Sequence, residues 1–195
     1  PYAVTPAILT DIKAEAPQSV CRMGPTNTNG NLLLNRDKAP FDNPDLRRAM
    51  ALTIDRKAFN DILYKGTALL GSAMLPAPAG VWGMPQSILQ TISGYGPDVA
   101  KNRAEARALM EKHGYGPNKR LAMKITTRNL QNWRDTAVIL IDHLREIYVD
   151  GELEIIETAA WYGKITRKDY TVGLNTTGNG IDDPDQNFFE HYACK

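Results

Sequence analysis

Apolar and polar positions follow two periods between residues 98 and 175. Some stretches repeat apolar residues every three or four positions, as one face of a helix does, and shorter stretches alternate with a period of two, as half-buried strands do. Helices are predicted at 98–114, 136–149 and 159–166, and strands at 121–125, 153–157 and 170–175. This alternation of helix and strand predicts an α/β unit with right-handed crossovers.

The strongest amphipathic pattern lies in the helix predicted at 136–149. Val138, Ile141, Leu144 and Tyr148 fall on one stripe of that helix. A stripe of this width is typical of a helix packed on a core. We therefore expect these four side chains to be buried.

Two helices are predicted earlier in the chain from their end signals. Asn43 can cap a helix that begins at Pro44, where the missing N–H costs nothing. Asp55 can cap a second helix, which ends at Gly66. In the second helix the apolar spacing predicts three buried side chains, namely Phe59, Ile62 and Leu63.

The remaining segments carry weaker patterns. A short helix is predicted at 6–16 and a strand at 32–34. Residues 66–97 are interrupted by many prolines and glycines and predict a long loop. A loop of that length usually has a function or wraps a neighbour.

Composition excludes several classes of protein. The 195 residues include 23 Lys and Arg against 22 Asp and Glu, and 43% are hydrophobic, which is ordinary for a globular protein. A net charge of +1 with scattered basic residues argues against a nucleic-acid surface. The longest purely apolar run is 137–141, so no membrane span is predicted. The chain starts at Pro1 and stops at Lys195 without a leader or a helix cap, so we expect an excised piece.

The search for chemistry finds no phosphate loop, zinc motif or nucleophile elbow, and no cofactor is predicted. His113 and His143 are interpreted as structural residues late in helices. The two cysteines, Cys21 and Cys194, are either a disulfide or two buried thiols.

The acidic segment near the end of the chain allows two interpretations. In one, Asp183 caps a helix that begins at Pro184, and Phe188, Phe189 and Tyr192 pack. In the other, an acid/base or metal enzyme would use a cluster of four residues. These are Asp182, Asp183, Asp185 and His191.

Two tryptophans could line a ligand pocket. Trp82 lies in the predicted long loop, and Trp161 lies in the helix predicted between two strands. Either ring could floor a pocket for an amphiphilic ligand, and either could be part of the core.

Several stretches resemble one protein family in the same order. They are Ala39-Pro40-Phe41-Asp42-Asn43-Pro44-Asp45-Leu46-Arg47-Arg48-Ala49 with Thr53-Ile54-Asp55-Arg56, the proline-rich 75–85, Tyr95-Gly96-Pro97-Asp98 with 104–115, the helix 139–149, and Lys168-Asp169-Tyr170 with Asp183-Pro184-Asp185. Together they resemble family 5 of the extracellular solute-binding proteins, the peptide/nickel-type receptors of ABC importers. The resemblance covers about residues 32–192.

The resemblance implies a fold and a function. The fold would be α/β, a single lobe of a type II periplasmic binding protein with a mixed sheet flanked by helices. Residues 1–34 would cross from an absent first lobe, and 35–195 would be most of the second lobe. The implied protein is a periplasmic monomer that captures a small solute, such as an oligopeptide, for ABC permease subunits in the inner membrane. A sensor that signals through docking is the alternative of the same fold.

The chain departs from the family pattern at the ligand site. Peptide-binding members hold the ligand amine with an aspartate that aligns here with Gly180, and a common tryptophan aligns with Thr177. Asp182 lies close by and could substitute for the aspartate. Trp161 matches a family pocket tryptophan. The resemblance also implies that Cys194 pairs with a cysteine beyond Lys195, as an oxidising periplasm allows.

Overall fold

The computed structural model describes residues 6–21, 24, 28–72, 74–178 and 181–192. Eight helices and four strands lie within these residues. In chain order they are α1 (Pro6–Glu15), β1 (Thr28–Leu34), α2 (Pro44–Thr53), α3 (Arg56–Tyr64), α4 (Gln86–Leu89), α5 (Val99–Lys112), β2 (Leu121–Arg128), α6 (Gln131–Arg145), β3 (Val149–Ile156), α7 (Thr158–Thr166), β4 (Val172–Gly178) and α8 (Pro184–Tyr192).

The strands form one mixed sheet in the order β1-β4-β2-β3. β2 is parallel to β3 along its whole length and parallel to β4 at the pairs Ile125–Val172 and Thr126–Gly173. β1 is antiparallel to β4, from Thr28 opposite Gly178 to Leu34 opposite Val172. The predicted mixed sheet with flanking helices is confirmed.

The two faces of the sheet are covered by different helices. Ile125 and Val172 are fully buried on the face where α2, α5 and α6 form the core. Neighbouring residues of a strand point to opposite faces, so Thr126 and Gly173 belong to the other face. There α7 covers the sheet, and the Trp161 ring lies against Gly173. The connection from β2 to β3 and the connection from β3 to β4 run in opposite directions across the sheet. Because both are right-handed, they place α6 and α7 on opposite faces.

The predicted starts of three helices, α2, α3 and α5, are confirmed. The side chains of Asn43, Asp55 and Asp98 accept hydrogen bonds from backbone N–H groups in the first turns of α2, α3 and α5. Arg47 Nη1 donates to the carbonyls of Phe41 and Asp42, and so holds the segment before α2 in place. Several motif residues of the predicted family therefore stabilise helix ends and loops.

Arg56 ties the start of α3 to the end of the long loop. Its Nη1 donates to the Gly94 carbonyl at 2.6 Å, and its guanidinium lies 3.8 Å from the centre of the Tyr95 ring. A cation over an aromatic face is attracted to the ring electrons. This arrangement joins two motifs that are about forty residues apart in the sequence.

The predicted buried faces of α3 and α6 are partly wrong. Ile62 is exposed: it lines an open groove with Asp142 and His143 of α6, while α3 contacts α6 through Phe59. Helix α6 begins at Gln131, earlier than predicted, and Val138 lies exposed on its outer side. Tyr148 follows α6 with a positive φ of 66°, and Val149 already belongs to β3.

Helix α8 begins as predicted but packs differently. Asp183 Oδ1 accepts from Asp185 N at 2.8 Å, and Pro184 is the first helical residue. Phe189 is 78% exposed, so its predicted packing is wrong, whereas Phe188 is 46% exposed. The side chain of Tyr192, the third residue predicted to pack, lies outside the described residues. Gly180 and Cys194, which belong to other predictions, also lie outside them. Cys21 is a free, exposed cysteine.

His113 and His143 contact other protein groups, as their structural interpretation requires. His113 Nε2 lies 2.9 Å from Asp45 Oδ2. His143 is buried, and its ring meets Phe59 edge-on with 5.1 Å between centroids. Burial lowers the pKa of His143, and the nearby positive Arg103 lowers that pKa further.

Asn35 fastens the end of β1 to the connection between α7 and β4. Its buried side chain donates to the carbonyls of Lys168 and Tyr170, both at 2.9 Å, and accepts from Asp37 N. The backbone N–H of Asn35 also donates to the Thr171 carbonyl.

None of the helices in the described part of the chain has the length and apolar character that a membrane span needs.

Replacing Asn35 by alanine should destabilise the protein by about 1–3 kcal/mol, because backbone groups at Lys168, Tyr170 and Asp37 lose the hydrogen bonds of this buried side chain. Urea unfolding of both proteins measures the difference. Asn118→Ala, at an exposed position, is the matched control and should change stability by less than about 0.5 kcal/mol. Equal midpoints for Asn35→Ala and wild type would contradict this role.

Acidification should destabilise the folded protein through His143. Its pKa is lowered in the folded state, so below pH about 6.5 the unfolded chain binds a proton that the folded protein does not. The stability contributed by neutral His143 is therefore complete above that pH and is lost as the pH falls toward the folded pKa. Melting temperatures from pH 8 to 5 should fall less steeply for His143→Leu than for wild type. Parallel curves would exclude His143 as a cause.

Candidate functional site

The sheet topology predicts a ligand crevice at the carboxyl ends of β2 and β4. From β2 the chain passes through α6 to β3 on one side, and then through α7 to β4 on the other side. In open α/β sheets, ligands bind where the chain reverses direction in this way, outside the carboxyl ends of the strands. The last residue of β2 is Arg128.

Arg128 is a buried cation at this edge of the sheet. The residue is only 8% exposed, and its guanidinium carbon lies 4.6 Å from the Trp133 ring centre and 5.7 Å from that of Tyr162. Nη1 lies 3.1 Å from the Tyr162 hydroxyl. Nε is buried without a hydrogen-bond partner, and within the described residues no carboxylate forms an ion pair with Arg128.

The helices beside Arg128 begin without side-chain caps. α6 follows Leu130 and α7 follows Glu157, and neither residue makes a capping hydrogen bond through its side chain. The N-terminal N–H groups of a helix carry partial positive charge and attract anions. One negative side chain lies nearby, since Glu157 accepts a hydrogen bond from Asn129 Nδ2 at 2.7 Å. With Arg128, the crevice favours an anionic group.

Trp161 is placed behind the crevice rather than at its surface. The ring is fully buried, and its Nε1 donates to Asn175 Oδ1 at 3.3 Å. Trp161 therefore orients a polar side chain of β4. Direct contact between Trp161 and a ligand stays a prediction.

Polar side chains of the paired strands β4 and β1 lie next to one another. Asn175 pairs with Asn31 in the antiparallel ladder, so both side chains point to the α7 face. Asn31 Nδ2 donates to Thr177 Oγ1 at 2.7 Å. Thr177, which stands where the family often has tryptophan, is thus part of a hydrogen-bonded polar surface.

Two further predicted site residues come together at the end of β4. Asp182 Oδ2 accepts from the backbone N–H of Val81 at 2.9 Å, which brings Trp82 beside this segment. Trp82 is 54% exposed. Gly180, the residue at the family's aspartate position, lies outside the described residues.

Two of the four residues proposed for the enzyme alternative accept hydrogen bonds from the backbone. Asp182 binds Val81 N, and Asp183 caps α8. The His191 side chain is not among the described ones. Searched over the described part of the chain, no group of three or more His, Cys, Asp or Glu side chains could hold a metal ion.

Sequence reasoning missed Arg128, Tyr162 and Asn175. The predicted strand stopped at Ile125, three residues before Arg128. A longer β2 would have placed a basic residue at the carboxyl end of a parallel strand, which is a recognisable signal for anion binding. No local signal marks Asn175, whose role depends on Trp161.

Comparison with known sequences identifies the family. The sequence model described as bacterial extracellular solute-binding proteins, family 5 Middle, matches residues 2–195. The chain belongs to this family. The predicted resemblance is confirmed, and the family consists of solute-binding proteins.

Two curated relatives of this family 5 chain carry names that indicate ligands. The probable D,D-dipeptide-binding periplasmic protein DdpA of Escherichia coli K12 is 26% identical over 154 residues, which is 78% of this chain and 27% of that protein. Heme-binding protein A of Haemophilus influenzae is 34% identical over 87 residues, or 45% of this chain and 14% of that protein.

Solved structures show the same fold for this family 5 chain. OppA of Haemophilus influenzae in complex with RPPGFSPFR has a TM-score of 0.75 at 21% identity, over 95% of this chain and 36% of that one. The murein tripeptide binding protein MppA of Escherichia coli has a TM-score of 0.77 at 17% identity, over 94% and 35%. The chain therefore has a type II periplasmic binding protein fold and spans about a third of the length of those proteins.

Proposed function

We propose that the protein containing this chain is the substrate-binding component of an ABC transporter. It captures a small, peptide-like solute between two lobes in the periplasm and delivers it to permease subunits in the inner membrane. Membership of family 5 supports this role, as do relatives named for binding a D,D-dipeptide and heme. The role requires binding and release, without an enzymatic step.

The observation that carries the proposal is the buried Arg128. Burial of a charge is costly unless an opposite charge or hydrogen-bond acceptors compensate for it. The aromatic rings and the Tyr162 hydroxyl satisfy one side of the guanidinium, whereas Nε is left without a partner. We assign to Arg128 the binding of an anionic group of the solute, such as a peptide carboxylate.

The lobe described here supplies one side of the binding site. Residues 35–195 form most of the second lobe, and residues 1–34 reach it from the first. β1, at the end of that segment, joins the sheet beside β4. Closure of two lobes around a solute is a hinge motion. One lobe alone should bind weakly, because the contacts of the other are missing.

Arg128→Met should weaken solute binding by about 10- to 100-fold, the loss expected for one charge-assisted hydrogen-bonding group. The full-length receptor is purified, its retained solute is released by denaturation and identified by mass spectrometry, and that compound is titrated by calorimetry. Arg128→Lys, which keeps the charge, should lose less.

The control for this experiment is Arg36→Met, which removes an exposed arginine and should bind as wild type does. A retained solute without any anionic group, or equal affinities for wild type and Arg128→Met, would contradict the assignment. Turnover of the retained compound by the receptor would instead favour an enzyme.

A further inference from the structure

The hydrogen bond between Val81 N and Asp182 Oδ2 joins segments 101 residues apart in the sequence. We propose that Asp182 is a positioning residue, whose carboxylate holds the turn 75–83 against the connection between β4 and α8 and so builds an apolar wall of the solute cleft. The wall consists of Val81, Trp82 and Ile181. This inference rests on the proposed function, because the cleft is the one that the solute would enter.

The turn 75–83 is closed by its own backbone. Gly83 N donates to the Leu75 carbonyl at 2.9 Å, and Gly80 N donates to the Pro76 carbonyl at 3.1 Å. A Cβ atom on Gly80 would lie 2.4 Å from the Leu75 oxygen, so the chain can pass so closely only with glycine at this position. The turn therefore keeps its shape and can be placed as a unit by one external contact.

Asp182 provides such a contact with little freedom. Oδ2 accepts the Val81 N–H, and Oδ1 is buried without a hydrogen-bond partner among the described residues. On the other side of Asp182, Ile181 N donates to Gln186 Oε1 at 3.3 Å and Asp183 caps α8. The carboxylate is thus fixed to the first turn of α8, and the turn 75–83 is fixed to the carboxylate.

The wall residues flank this hydrogen bond on both sides. Val81 is 80% exposed, Trp82 is 54% exposed, and Ile181 is 61% exposed. Exposed apolar groups gathered at one place mark a ligand groove or an interface. The β4–α8 connection leaves the carboxyl end of β4, the same edge of the sheet that carries Arg128. The solute class follows: an anionic group for Arg128 and an apolar body for the wall.

This role differs from that of an aspartate that binds the solute amine. An amine-binding aspartate needs its negative charge, whereas a positioning aspartate needs only an oxygen acceptor for Val81 N. Asparagine keeps the acceptor and removes the charge. Asp182→Asn and Asp182→Ala therefore separate the two roles.

The test uses the full-length receptor as wild type, Asp182→Asn, Asp182→Ala and the control Asp185→Ala, at an exposed position. Hydrogen–deuterium exchange is followed in the peptide that contains residues 75–85. Asp182→Ala should raise exchange at Val81 by at least about 10-fold, because its amide loses its acceptor. Asp182→Asn and Asp185→Ala should stay within about 3-fold of wild type.

Native mass spectrometry of the same proteins measures how much co-purifying solute each retains. Asp182→Ala and Trp82→Ala should lose most of it, whereas Asp182→Asn and Trp82→Phe should retain it. Loss of solute in both Asp182 variants, with exchange at 75–85 unchanged, would overturn positioning in favour of direct amine binding. Unchanged exchange in Asp182→Ala would overturn it as well, and a wholly hydrophilic retained solute would overturn the apolar wall.

The exchange experiment does not depend on solute. A wild-type receptor without any retained solute would count against the proposed function. The exchange comparison would still decide whether Asp182 holds the turn. The two proposals therefore fail by different measurements.

Discussion

The pairing of β2 with a parallel strand on each side is the constraint from which the site follows. Because β3 and β4 are both parallel to β2, each connecting helix must carry the chain from the carboxyl end of one strand back to the amino end of the next. The two helices do so on opposite faces of the sheet. Both helix starts and the end of β2 consequently meet at one edge. Arg128 lies there because β2 ends there.

The energetic cost of burying Arg128 ties stability to binding. Trp133 and Tyr162 shield the guanidinium from water, while Nε keeps no partner. These contacts compensate the desolvation of the guanidinium only in part. In the proposed function, an anionic group of the solute would supply the opposite charge.

Local signals predicted the elements, and distant contacts decided the site. The caps of α2, α3 and α5 depend on residues within one helical turn, so the sequence alone was sufficient for them. Whether Val138 or Ile62 is buried depends on whether another element covers the groove that both line, which no local pattern states. The burial of Arg128 depends on Trp133 and Tyr162, and the partner of Asp182 is 101 residues away.

The ladder between β1 and β4 has a mechanical consequence. Seven residue pairs join the two strands, and a slip by one residue would turn every side chain of β1 to the wrong face. Gradual sliding along the strand axis is therefore blocked, while rotation of both strands together is free of that penalty. A displacement of β1 would therefore move Asn31, Asn175 and Thr177 together as a rigid body. The distances between these three polar side chains would stay the same during such a rotation.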